Sequence, residues 1–172
     1  MEVHTFDQPD VQAAKDITSR VLTELQSSTS ENRLEPVGSA GELLSNSQRG
    51  DYLAIMAYVK QTPEVDQAIT ELRRRVMKQY RIATTFGYGP RFLHSTGQLH
   101  KGGPASGLFL QITTRHTDDV PVPGEAFSFA VLADAQAKGD LRALQSQGRR
   151  VASVNVEADV AASIEKLMEP QI

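Results

Sequence analysis

Residues 89–104 read GPRFLHSTGQLHKGGP, a stretch with one arginine, one lysine, two histidines, a Ser-Thr pair, four glycines and no carboxylate. Such a set of donors suits an oxyanion. Arg91 can fork onto two oxygens, Ser95 and Thr96 can donate hydroxyl protons, and Gln98 adds an amide. His94, His100 and Lys101 supply point charges, and glycine lets a ligand come close to backbone N–H groups. A sugar phosphate or another small anion is one reading. The other is a tight structural turn, in which glycine serves geometry and the histidines bond local backbone.

Other chemistries fit less well. A Walker loop would need GK[ST], and a dinucleotide fingerprint would need an acid about 20 residues on; neither is present. His94 and His100 stand six apart, share no helical face, and have no cysteine or carboxylate beside them, so no metal is expected. A serine nucleophile needs a histidine oriented by an acid, which the stretch does not supply. Histidine as a general base stays compatible with the residues. No cofactor is implied.

The stretch lies inside a longer basic segment. After Glu71 the next acid is Asp118, and between them fall Arg73, Arg74, Arg75, Lys78, Arg81, Arg91, Lys101 and Arg115, with His94, His100 and His116. One sign of charge inside a chain of net charge −3 points to an anionic ligand or an acidic neighbour. For the Arg triplet alone, a solvated helix face is the simpler account. The overall negative charge argues against nucleic acid as a general partner.

The elements that must position these residues alternate. DYLAIMAYV is an apolar run of strand length, as in a strand buried on both faces. TPEVDQAITELRRRVMKQY reads as a helix capped by Thr62. RIATTFGYG, GLFLQITT and RRVASVNV read as further strands, PRFLHSTGQLHKG as a short helix or structured turn, and FSFAVLADAQAKGDLRALQSQG and ADVAASIEKLM as helices. This order predicts an α/β fold: a mostly parallel sheet with helices on both faces, in Rossmann-like layers. It is preceded by an N-terminal helix, FDQPDVQAAKDITSRVLTEL, with an apolar stripe through Val11, Ala14, Ile17, Val21 and Leu25. Residues 1–30 therefore form a helical segment, 31–49 a polar linker with a short helix capped by Ser39, and 50–172 the α/β unit.

The chain has 172 residues, 40% of them hydrophobic and 23% charged, enough to bury a full core. It has no cysteine, hence no disulfide or thiolate chemistry, and a reducing cytoplasm is the expected setting. The N-terminus MEVHTFDQPD is not a signal peptide, no apolar run spans a bilayer, and no membrane partner is expected.

Two stretches resemble a known family. FDQPDVQAAK resembles the C-terminal signature of glucose-6-phosphate isomerases, with Phe6, Asp7, Gln8, Val11, Gln12 and Lys15 matching; Asp10 stands where glycine is usual and Gln12 where glutamate is. The resemblance implies that Lys15 reaches the sugar ring oxygen and assists ring opening, and that Gln8 contacts substrate. ATTFGYGPRFLHSTGQLHKGGPASGLFLQIT resembles the C-terminal region of bacterial enzymes that fuse transaldolase to glucose-6-phosphate isomerase. The implied partners are a sugar phosphate and the remainder of the parent isomerase or transaldolase. The isomerase needs a carboxylate to move a proton between carbons 1 and 2, and 72–117 offers none. The family's phosphate-binding Ser/Thr loop belongs to an earlier domain. The expectation is therefore a C-terminal piece of a larger isomerase that is inactive by itself. The alternative is a non-catalytic anion-binding or assembly module.

Overall fold

The computed structural model of the chain describes residues 16, 19–23, 35–117 and 119–167. The backbone at 19–23 is helical. It is followed by α1 (Ala40–Ser45), β1 (Tyr52–Tyr58), α2 (Pro63–Tyr80) and β2 (Ala83–Tyr88). A 3-10 turn (Arg91–His94) and α3 (Thr96–Gly102) lead to β3 (Gly107–Thr114). Then come α4 (Phe129–Ser146), β4 (Arg150–Val156) and α5 (Val160–Lys166).

The strands form one parallel sheet in the order β2-β1-β3-β4. In register, Tyr52 of β1 faces Ala83 of β2 and Gly107 of β3. Each strand's side chains alternate between two covered faces, which is why β1 and β3 read as continuous apolar runs. On one face, Leu53 and Ile55 join Leu108, Leu110 and Ile112 under Ile69 of α2 and Ile164 of α5. On the other, Ala54, Met56 and Phe109 pack with Phe92 and with Ala137 and Leu144 of α4. Both faces are therefore covered, as the alternating pattern predicts.

The helix starts are local and readable. The side-chain oxygen of Thr62 accepts from the Val65 N–H at 3.3 Å, and Pro63 takes the first helical position. Ser39 and Glu42 close a reciprocal capping box on α1. The Arg triplet on α2 is a paired surface: Arg74 and Arg75 both bind Glu71, and Arg73 donates to Thr84 on the edge strand β2.

Residues 35–45, expected as linker and short helix, belong to the same core. Leu43 and Leu44 are buried in it, and Val37 exchanges two backbone hydrogen bonds of 2.9 Å with Ser153, covering the outer edge of β4. At the amino edge of the sheet, Arg150 grips Asp51 with two hydrogen bonds of 2.7 and 2.9 Å. That contact holds the Asp51 carboxyl below its usual range. On the α4 face, Val21 of the N-terminal helical stretch is buried against Ala135.

Candidate functional site

In a parallel sheet the connection from one strand to the next starts at the carboxyl edge and ends at the amino edge. α2 leaves β1 over one face and α4 leaves β3 over the other. The chain therefore parts between the neighbouring strands β1 and β3, the place where such sheets open a ligand crevice. A crevice of about 740 Å³ lies there, lined by Lys60 and Thr62 after β1, Gly89 after β2, Arg115 and His116 after β3, and Asp159 before α5.

Each of the two helix starts that open on this crevice has one backbone N–H capped from within the chain. Thr62 caps α2, and the Asp159 carboxylate accepts from the Ala162 N–H at 3.1 Å. Charged side chains add to what the helix starts offer a ligand. Among the described residues, neither Lys60 nor Arg115 has a hydrogen-bond or ion-pair partner, and both are exposed. His116 Nε2 lies 3.3 Å from Asp134 Oδ1 on α4, with the two side chains 27% and 33% exposed. The hydrogen bond to Asp134 raises the His116 pKa, against the opposing effect of partial burial; Asp134 and Asp119 add a smaller Coulombic pull. Nε2 turned to the carboxylate leaves Nδ1 for another partner. Glu64 also lines the crevice, so its wall is of mixed charge.

The 89–104 stretch begins at this edge but does not stay there, because it carries the chain from β2 back to the start of β3. His100 and Lys101 are 4% and 3% exposed. The Lys101 ammonium makes a 2.5 Å ion pair with Asp140 of α4, itself 2% exposed. Burial pushes the Asp140 carboxyl up in spite of that cation. His100 sits between Phe92 and Phe109, at ring-centre distances of 5.9 and 5.1 Å, with Nδ1 unpartnered. Desolvation, aided by the Lys101 charge, brings its pKa down to about 4, so it is neutral at pH 7. Arg149 ties the end of α3 down by donating to the carbonyls of Lys101 and Gly103. The lack of acids along 72–117 therefore does not leave Lys101 without a carboxylate in space. The acid is supplied by a helix 39 residues further on.

The glycines follow the same logic. None of the described glycines between 89 and 104 has a positive φ. A Cβ on Gly89 would lie 2.4 Å from the Tyr58 ring, and one on Gly103 would lie 2.4 Å from the Leu99 carbonyl oxygen. Glycine is needed there for close packing within the protein itself.

Arg91, Ser95 and Thr96 are exposed beside a shallower cleft of about 470 Å³ along β2. Arg91 donates to Gln61 Oε1 at 3.0 Å and lies over the Tyr88 ring, and the Ser95 hydroxyl donates to the Phe92 carbonyl at 3.2 Å. Asp66 is also in this cleft, held by the Tyr88 hydroxyl at 2.6 Å, so Arg91 too has a carboxylate nearby. Gln98 donates to the Leu93 carbonyl at 3.4 Å. For His94 only the backbone, in the 3-10 turn, is described. Gln8 and Lys15 lie outside the described residues.

The structure thus parts the sequence-predicted residues into a buried set (His100, Lys101) and an exposed set (Arg91, Ser95, Thr96), neither of which faces the main crevice. Lys60, Arg115 and His116 line it instead. A readable sign was present, since Arg115-His116 directly follows the buried strand GLFLQITT. Among the described residues no cluster of three or more His, Cys, Asp or Glu could hold a metal ion, and no helix is long and apolar enough to cross a membrane.

No family model matches the chain, and no curated protein matches it. The crystal structure of a hypothetical protein from Thermus thermophilus is similar in fold, with a TM-score of 0.51 and 19% identity. The match covers 68% of this chain and 32% of that one, so the chain spans about a third of that protein's length. At that identity the likeness is one of α/β fold.

Proposed function

We propose that the chain is the C-terminal part of a glucose-6-phosphate isomerase of the kind fused to transaldolase, and that its α/β unit is a sugar-phosphate-binding module. The catalytic base and the phosphate loop belong to the remainder of the parent enzyme. Support comes from the resemblance of FDQPDVQAAK and of the 83–113 stretch to those enzymes, and from the parallel sheet. The observation that carries the binding role is the switch-point crevice, where two cations without a partner among the described residues, Lys60 and Arg115, stand beside His116. Exposed cations at the carboxyl edge suit the phosphate of a sugar phosphate, and the Glu64 and Asp159 carboxylates suit its hydroxyls.

The resemblance gives Lys15 the ring-opening role, since a cation beside a developing alkoxide stabilises it. In the parent enzyme Lys15→Ala should lower kcat and kcat/KM together, because the charge acts mainly on the transition state. The isolated chain should convert no fructose 6-phosphate above a Lys15→Ala control. Conversion by the isolated chain, or a parent Lys15→Ala enzyme changed only in KM, overturns the assignment.

A further inference from the structure

The charged groups around His116 come from every element that meets at the crevice. Lys60 follows β1, Glu64 is in the first turn of α2, and Arg115 precedes His116 itself. Asp159 precedes α5, Asp134 projects from α4, and Asp119 lies in the loop before α4. On the crevice wall the two cations Lys60 and Arg115 are matched by two carboxylates, Glu64 and Asp159. Behind the wall, Asp134 is matched by His116 only while that histidine carries its proton.

We propose that the His116–Asp134 pair is a pH gate on anion binding at this crevice. With His116 protonated, three cations (Lys60, Arg115 and His116) face four carboxylates (Glu64, Asp159, Asp134 and Asp119), and all three cations can turn to a phosphate-type anion. When His116 loses its proton, Asp134 is left uncompensated and the same four carboxylates face only two cations, Lys60 and Arg115. A small anion seated against His116 is then repelled by the uncompensated Asp134 carboxylate behind it, the more so at low salt where screening is weak. The inference rests on the crevice being the anion site of the proposed function, and it adds the residue that decides when that site is open. A raised pKa agrees with the geometry, because it keeps the histidine charged, and the gate open, past the ordinary histidine value.

Sulfate is the first probe, since it does not titrate across the range used; inorganic phosphate and fructose 6-phosphate are the second and third. Affinities are measured by calorimetry with the whole chain at pH 6.5 and pH 9, at fixed low ionic strength. The wild type should bind sulfate at least fivefold more weakly at the higher pH. His116→Gln should bind at the weak level at both. Asp134→Asn, which keeps the histidine and removes its partner, should move the loss to lower pH, and the His116 ring signals in NMR should titrate with it. Circular dichroism of each variant establishes that it is folded. A wild-type affinity flat with pH, a His116→Gln chain that keeps the pH dependence, or no binding of sulfate or phosphate at pH 6.5 overturns the gate. If sulfate and phosphate bind and are gated but fructose 6-phosphate binds no better than phosphate, the gate stands and the sugar-phosphate reading falls.

Discussion

Two histidines bracket β3, one ahead of Gly107 and one behind Thr114, and the fold sends their pKa values in opposite directions. His100 is sealed between two aromatic rings beside a buried ion pair and is held neutral. His116 is partly open to solvent, bound to a carboxylate, and held protonated to a higher pH than usual. The difference follows from which end of the parallel strand each one occupies. At the amino end the crossover from β2 returns to the sheet and is clamped down by Asp140 and Arg149. At the carboxyl end the chain is leaving, the helices diverge, and side chains face a crevice. A basic, glycine-rich run is therefore no sign of a ligand until its place along the crossover is known.

The clamp should give the largest effects. Lys101→Met or Asp140→Leu alone leaves a buried charge without its partner, and should cost about 3–5 kcal/mol in urea unfolding. The double variant should recover most of that loss, because two apolar side chains of similar volume fill the same space. Single variants costing no more than a surface pair, under about 1 kcal/mol, would break the contrast between the two regions.

The next effect is in pH. The folded pKa of His100, about 4, lies below its unfolded value of 6.5. Its neutral form is favoured in the fold, so its contribution is fully present above pH 6.5 and is lost as pH falls toward 4. The loss amounts to at most about 3 kcal/mol over that window. Denaturant titrations from pH 7 to 4 should show it, and His100→Leu should flatten the curve. His116 has the opposite sign. Its raised pKa gives stability that is full below the ordinary histidine value and is lost as pH rises through the raised one. That pair is partly exposed, so Asp134→Asn should cost under about 1 kcal/mol at pH 6. An equal acid loss in wild type and His100→Leu would remove the distinction.

The smallest effect sharpens the comparison from outside. Arg91 is exposed and bonded only to Gln61 among the described residues, so Arg91→Ala should change stability by no more than about 0.5 kcal/mol.

What the sequence made legible was local. Segments of strand length between turn signals named the four strands, and the caps Thr62 and Ser39 announced their helices, because caps and periodicity involve residues within a turn of each other. The alternation of strand and helix then implied the parallel sheet. What stayed hidden was paired across distance. Asp140 is 39 residues from Lys101, Asp134 is 18 from His116, and Val37 finds Ser153 on the far edge of the sheet. Counting acids along the chain from Leu72 to Thr117 therefore described composition correctly and surroundings wrongly. The segment 31–49, polar and small in sequence, looked like a linker because its few apolar residues, Leu34, Val37, Ala40, Leu43 and Leu44, carry little pattern by themselves.

The central claim is that a small anion binds at the carboxyl ends of β1 and β3, and not along 89–104. The direct test is a sulfate titration followed by calorimetry at pH 6.5 on wild type, Arg115→Ala and Arg91→Ala. Arg115→Ala should weaken binding at least fivefold, while Arg91→Ala leaves it unchanged. Weakening by Arg91→Ala, with Arg115→Ala like wild type, would contradict the account and return the site to the glycine-rich stretch.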